Sequence, residues 1–183
     1  DGEVFIDNEL LSQKSKVKIG YMPENIPLYQ ELTVKEFINF MGELKGIKKV
    51  ERKKEIEKLL KDLNLMEVQN KLIRNISKGY KQRVSFAGAL IGNPEILILD
   101  EPTVGLDPKQ VIEIRNLIKS LRKKHTVLMS SHILSEVNQI CEKVIIINKG
   151  KIVAVDTPAN LEEKINRNSI IIIVEDQKNN MEK

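Results

Sequence analysis

The sequence predicts an α/β fold in which a parallel-sheet core carries an inserted helical subdomain. Three observations point there. Residues from about 30 to 93 carry helix caps and helical spacing almost throughout. The register then changes to short, continuously apolar runs, Ile96-Leu97-Ile98-Leu99 and Thr126-Val127-Leu128-Met129, of the kind that suits strands covered on both faces of a parallel sheet. Between and after these runs, strand and helix patterns alternate.

Taken in order, Glu3-Val4-Phe5-Ile6-Asp7 reads as a short strand, and Lys16-Val17-Lys18-Ile19-Gly20-Tyr21-Met22 as a second after a polar turn. Pro23 and Pro27 interrupt the chain. Thr33 is placed to cap a helix, and Glu36 three residues later completes a capping box ahead of Phe37, Ile38, Phe40 and Met41. A second helix is expected from about Val50 to Asn64, apolar at Ile56, Leu59, Leu60 and Leu63, with a charged face left to solvent. A third runs from Ser77 to Leu90 and stops at Asn93-Pro94. Beyond the strand at 96–99, the spacing predicts a helix over about 108–122, the strand at 126–129, a helix from Ile133 to Cys141, and a third buried strand at Val144–Ile147. Asn148-Lys149-Gly150-Lys151 then turns the chain into Ile152–Val155 as a hairpin. Thr157-Pro158 starts a last helix, and residues 170–174, all Ile or Val, read as one more strand.

Bulk properties narrow the class. The 183 residues, 41% apolar and 31% charged, can bury one good core and are too few for two independent domains. One domain over 1–183 is therefore expected, with the helical subdomain at 30–93 and the core sheet at 94–175. Thirty basic against 26 acidic residues leave a net charge of +4, spread along helical faces, so charge gives no reason to expect a nucleic-acid partner. The single cysteine, Cys141, rules out a disulfide within the chain and is expected as a buried apolar thiol. No apolar run approaches the roughly 20 residues of a bilayer span.

Chemistry concentrates where Glu95-Ile96-Leu97-Ile98-Leu99-Asp100-Glu101 sets two carboxylates at the end of a buried parallel strand, the place where open α/β sheets hold ligands. An acid on a stiff strand can bind Mg²⁺ with little reorganisation, and its neighbour can polarise a water for attack on a phosphoryl group. An acidic pair that merely marks a strand end is the bland alternative. Upstream, Ser77 heads a helix, so its hydroxyl and the free amides of Lys78, Gly79 and Tyr80 form an anion site that Gly79 leaves open to close approach; a plain serine N-cap is the competing reading. His125 stands in a Lys-rich turn and is expected to be solvent-exposed, whereas His132 follows a buried strand.

Leu99-Asp100-Glu101-Pro102-Thr103-Val104-Gly105-Leu106-Asp107-Pro108 resembles the Walker B motif and D-loop of ABC transporter ATPases. Ile76-Ser77-Lys78-Gly79-Tyr80-Lys81-Gln82-Arg83-Val84 resembles their signature motif, Ser130-Ser131-His132 their switch histidine, and Gly20-Tyr21-Met22-Pro23-Glu24 their Q-loop. The motifs stand in the family's order and spacing, and the likeness covers the chain from about residue 3 to 155. The resemblance implies a P-loop NTPase (RecA-like) core, with ATP and Mg²⁺ as cofactors. It implies Asp100 and Glu24 as metal-side groups, Glu101 as the base that activates water, and His132 as the switch at the γ-phosphate. Ser77, Lys78, Gly79 and Tyr80 would grip ATP held by a second subunit, and Asp107 would pack across that dimer. The expected partners are a second ATP-binding subunit and an integral membrane permease, which would place the protein at the cytoplasmic face of the cell membrane.

Two departures stand out. Glu24 replaces the family's Gln in the Q-loop, and Lys78 and Tyr80 replace the first Gly and the Gln of the signature; both resemble the branch that serves exporters of the ABC-2 type. A third feature is an absence. No Gly-x-x-x-x-Gly-Lys-Ser/Thr phosphate loop occurs in the 183 residues. The family carries this Walker A loop ahead of the strand that Glu3–Asp7 resembles, so the expectation is a chain truncated before it, with the N-terminal part of the core missing and weak nucleotide binding on its own. Two other function classes fit the same residues: a nonenzymatic remnant that binds a partner, and a non-transport relative working in DNA repair or on the ribosome. The coiled-coil insertions or duplication usual in the latter are not in this sequence.

Overall fold

The computed structural model describes residues 2–166 apart from Lys14 and Ile26; the strand expected at 170–174 lies outside the described residues. The chain forms two compact units, residues 1–133 and 134–183.

The first unit opens with a tiny antiparallel hairpin, β1 (Phe5–Ile6) with β2 (Glu9–Leu10), closed by Asp7 and Asn8, both at positive φ. Two left-handed residues in a row suit the right-handed twist of a hairpin, and Asp and Asn tolerate that conformation best after glycine. The second expected strand is shorter than its apolar pattern suggests. A 3₁₀ turn occupies Ser15–Lys18, and only Ile19–Met22 extends, as β3.

The core of this unit is a three-stranded parallel sheet in the order β3, β4 (Ile96–Leu99), β5 (Thr126–Met129), with Gly20 opposite Leu97 and Leu97 opposite Val127. The sheet therefore draws one strand from before the helical stretch, so it is not confined to residues 94 onward. Helix α3 (Lys78–Leu90) packs on β3. A Cβ on Gly20 would fall well inside contact distance of the Ala89 carbonyl oxygen and 2.9 Å from the Pro94 ring; glycine is what lets α3 lie this close. On that face Met22, Leu97 and Leu99 are buried. The opposite face does not match the expectation of burial on both sides: Ile19, Ile96 and Ile98 are half-buried, and Tyr21 and Leu128 are 56% and 55% exposed. The apolar runs marked the strands correctly, but among the described residues no buried side chain lies on that second face.

The helical region consists of α1 (Val34–Leu44), α2 (Lys49–Asp62) and α3, linked by short 3₁₀ turns at Met66–Val68 and Ile73–Asn75. Thr33 and Glu36 form the expected capping box on α1. The charged face of α2 is not all solvated, because Arg52 is buried at 7% exposure. Its guanidinium donates to Asn39 Oδ1, to the Ile47 carbonyl and to Glu43 Oε1, the last at 2.9 Å. A buried cation survives only with such partners, and these pin α2 to α1. After β4, α4 (Pro108–Leu121) is capped by Asp107 with Pro108 in the first turn. His125, expected in solvent, is instead 9% exposed, with its Nδ1 2.6 Å from the Pro94 carbonyl; the ring nitrogen satisfies a backbone oxygen at the turn into β4.

The second unit holds α5 (Leu134–Ile140), the hairpin β6 (Val144–Asn148) with β7 (Lys151–Asp156), and α6 (Pro158–Asn166). Lys149 and Gly150, both at positive φ, make the tight turn. The apolar run at Val144–Ile147 forms the expected strand and pairs with β7, antiparallel, as the hairpin the sequence predicts; Ile145 and Ile147 are 50% and 66% exposed. Cys141 is half-buried instead of buried. Among the described residues no helix is long and apolar enough to cross a membrane.

Candidate functional site

Every element that carries the candidate acids is held at the carboxyl end of the parallel sheet. The Asp100 amide donates to the Met22 carbonyl at 2.8 Å, and the Ser130 amide to the Leu99 carbonyl at 2.9 Å. The ladder thus runs one residue beyond each strand, leaving Asp100 and Glu101 where β4 stops and Ser130 where β5 stops. Glu24 lies two residues past Met22, exposed, at the same sheet end.

Glu101 departs from the strand with φ of 46°, a left-handed conformation that costs a non-glycine residue about 1–2 kcal/mol. The turn swings its carboxylate toward His132, whose Nδ1 lies 3.0 Å from Glu101 Oε1. An ionised carboxylate only accepts, so the ring carries its proton on Nδ1 in this contact. The other oxygen, Glu101 Oε2, is buried without a hydrogen-bond partner among the described residues. A buried carboxylate oxygen left unpaired is costly, and its natural complement is a water or a ligand proton. Of Asp100, Oδ1 accepts from the Ser130 hydroxyl at 2.6 Å. Among the described residues no three His, Cys, Asp or Glu side chains form a closed metal cage; an Mg²⁺ ion that keeps its waters and takes phosphate oxygens needs only one or two carboxylates, and the Asp100 carboxylate is a donor of that kind.

The second candidate cluster gathers at the facing N-termini of α3 and α4. Ser77 accepts from the Tyr80 amide as the N-cap of α3, and Asp107 Oδ1 accepts from the Gln110 amide at 2.9 Å as the N-cap of α4. A cavity of about 320 Å³ opens between them, and Ser77, Gly79, Tyr80, Asp107, Lys109 and Gln110 are among its lining residues. Two helix N-termini and a lysine favour an anion there. Gly79 lets the Gln110 amide lie against the helix start, since a Cβ there would stand 2.7 Å from Gln110 Nε2. The side chain of Lys78 does not line the cavity; it lies over Gly105, itself at φ of 68°. The phenol of Tyr80 donates to Glu67, so this residue meets the cavity with its body while its hydroxyl is held elsewhere.

The structure thus places the expected residues in two groups, Asp100, Glu101, His132 and Glu24 at the sheet end and Ser77, Gly79, Tyr80 and Asp107 around the cavity. It adds three that the sequence reading did not single out. Ser130 touches both acids, Gln82 links α3 to the loop after Glu101 through the Pro102 carbonyl, and Gln110 packs on Gly79. Only Ser130 had a signal, its position directly after a strand that runs beside the one bearing the acids.

A parallel sheet with paired acids at its carboxyl end is the α/β arrangement that holds ligands beyond its strand ends. Comparison with known proteins makes this specific. Residues 1–104 match the ABC transporter family. The chain is 36% identical over 159 residues to the linearmycin resistance ATP-binding protein LnrL of Bacillus subtilis (strain 168), covering 86% of this chain and 51% of that protein. It is 31% identical over 175 residues to the lipopolysaccharide export system ATP-binding protein LptB of Haemophilus influenzae (strain ATCC 51907 / DSM 11121 / KW20 / Rd), covering 91% and 73%. Among solved structures, cbiO1 of Clostridium perfringens, part of the ABC transporter complex cbiONQ, superposes with a TM-score of 0.78 at 28% identity, over 91% of this chain and 71% of that one. The chain belongs to the ABC transporter family, and its fold is that of an ABC ATPase. It spans about half the length of LnrL.

Proposed function

We propose that this chain is the ATP-binding and ATP-hydrolysing part of an ABC transporter, working at the cytoplasmic face of a membrane and driving export through a separate permease. The observation that carries the reading is the geometry of Glu101, which has one carboxylate oxygen on His132 Nδ1 at 3.0 Å and the other buried and unpartnered. That is the arrangement of a base oriented by one neighbour, with its second oxygen still lacking a proton donor. Asp100 and Glu24 are the residues that would hold Mg²⁺, which would supply neutralisation of the phosphate charge. Glu101 would take the proton of the attacking water, and His132, 3.0 Å from it, orients that carboxylate and is the side chain that would meet the γ-phosphate. Ser77, Gly79 and Tyr80 offer the α3 N-terminus to the ATP of a second ATP-binding subunit. Lys78 adds positive charge beside it, and Asp107 fixes the α4 turn that meets the partner. Relatives that are an export-system ATP-binding protein and part of a transporter complex support the permease as partner.

The test is ATP hydrolysis by the complete gene product, as wild type and as Glu101→Gln. Mg²⁺-dependent hydrolysis that Glu101→Gln abolishes while ATP binding persists is the expected result. A Glu101→Gln protein that hydrolyses ATP at the wild-type rate overturns the reading.

A further inference from the structure

We propose that Ser130 is the positioning residue of the metal site, one hydroxyl that orients both acids at once. The inference rests on the reading of Asp100 as the Mg²⁺ acid. Ser130 Oγ lies 2.6 Å from Asp100 Oδ1 and 2.9 Å from the Glu101 amide nitrogen. The amide can only donate, so the hydroxyl accepts from it and its single proton goes to the Asp100 carboxylate. A hydroxyl on an ionised carboxylate makes a short, strong hydrogen bond. The residue that carries it is itself fixed, because the Ser130 amide is bonded to the Leu99 carbonyl at 2.9 Å and so rides on β4.

Two consequences follow for the chemistry. With Oδ1 held, the Asp100 carboxylate cannot rotate freely, and Oδ2 is the oxygen turned out for the cation. With its amide held, Glu101 is kept in the left-handed turn that brings its side chain to His132. Ser130 acts through the acids, by its bonds to Asp100 Oδ1 and the Glu101 amide, as partners behind metal ligands generally do. The next residue, Ser131, does not share the role: its hydroxyl accepts from the Ile133 amide.

The experiment compares Ser130→Ala, Ser130→Thr and Asp100→Asn in the complete gene product. The first readout needs no turnover: Mn²⁺ binding in the presence of ATP, in a Glu101→Gln background, followed by loss of the free-ion electron paramagnetic resonance signal. Ser130→Ala is expected to weaken Mn²⁺ binding about tenfold, the scale on which the partner of a metal ligand acts, and to raise the Mg²⁺ concentration for half-maximal hydrolysis similarly. Ser130→Thr, which keeps the hydroxyl, restores both. Ser130→Cys, a weaker donor, gives an intermediate shift and serves if the alanine variant folds poorly. Wild-type Mn²⁺ binding in Ser130→Ala, with Asp100→Asn abolishing it, overturns this inference and leaves the metal site standing. Unchanged Mn²⁺ binding in Asp100→Asn overturns the metal site and the inference together.

Discussion

The buried side-chain amide of Gln82 donates to the carbonyl oxygen of Pro102 at 2.5 Å, joining the first turns of α3 to the loop that follows Glu101. Two further contacts run in parallel with it, Lys78 over Gly105 and Gly79 against Gln110. The helix that presents Ser77 is thereby tied at three points to the segment 101–110 that follows Glu101.

Replacing Gln82 by Leu leaves the Pro102 carbonyl buried without its donor. The expected cost is about 1–3 kcal/mol of stability, read as a lower urea midpoint with unchanged slope. A variant as stable as wild type would show that water can reach that carbonyl.

Gly20→Ala and Gly79→Ala should separate stability from function. At Gly20 the obstacle is the backbone of α3 and the Pro94 ring, which cannot swing aside, so overpacking is expected to cost about 3 kcal/mol. At Gly79 the obstacle is the far end of Gln110, which can move. That variant should unfold near the wild-type midpoint and yet lose ATP hydrolysis, by about tenfold or more, because the methyl closes the α3 N-terminus to a phosphate. Circular dichroism melts beside ATPase rates would decide both.

The capping box of α1 predicts a pH dependence. The Thr33 amide, and after it the Thr33 hydroxyl, hold the Glu36 carboxyl below its usual value of 4.5. An acid whose folded value is depressed contributes stability that is present above 4.5 and is lost as the pH falls through the lower folded value. Glu36→Gln should flatten that part of the stability profile, and Thr33→Ala should cost about 1 kcal/mol at neutral pH as the loss of a helix cap. Urea titrations between pH 3 and pH 7 would show whether the two curves converge in acid, as expected.

His132→Ala removes the contact that orients Glu101. Hydrolysis should fall by about 10²-fold, within the range of general acid–base effects, while the melting midpoint barely moves, because the His132 side chain is 69% exposed and exposed pairs contribute little. Equal losses of activity and stability would instead assign His132 a structural part.

What the sequence disclosed follows the range of each interaction. Thr33 and Glu36 are three residues apart, so their capping box could be read directly, as could the Asp107 cap ahead of Pro108. Asp100 and Glu101 were visible because a strand of four apolar residues delivers them to a sheet end. The contacts that escaped reach across the fold. Ser130 meets its partners from 29 and 30 residues away, Gln82 from 20, and Arg52 finds Asn39 on another helix. A charged residue inside a Lys- and Glu-rich helix gives no local sign that it is buried, and neither does His125 in a lysine-rich turn. Hydropathy likewise marked β5 and β6 as strands but could not say that one face of β5 and much of β6 would stay exposed.

The left-handed backbone of Glu101 has a consequence for how this domain can drift. A glycine would occupy that φ without strain, so Glu101→Gly should relieve about 1–2 kcal/mol while removing the base. Random mutation followed by selection for solubility or heat resistance would therefore reward the loss of this carboxylate, a trade of the proposed activity for robustness. A glutamate held here, in a conformation it does not favour, is what a requirement for its carboxylate would keep.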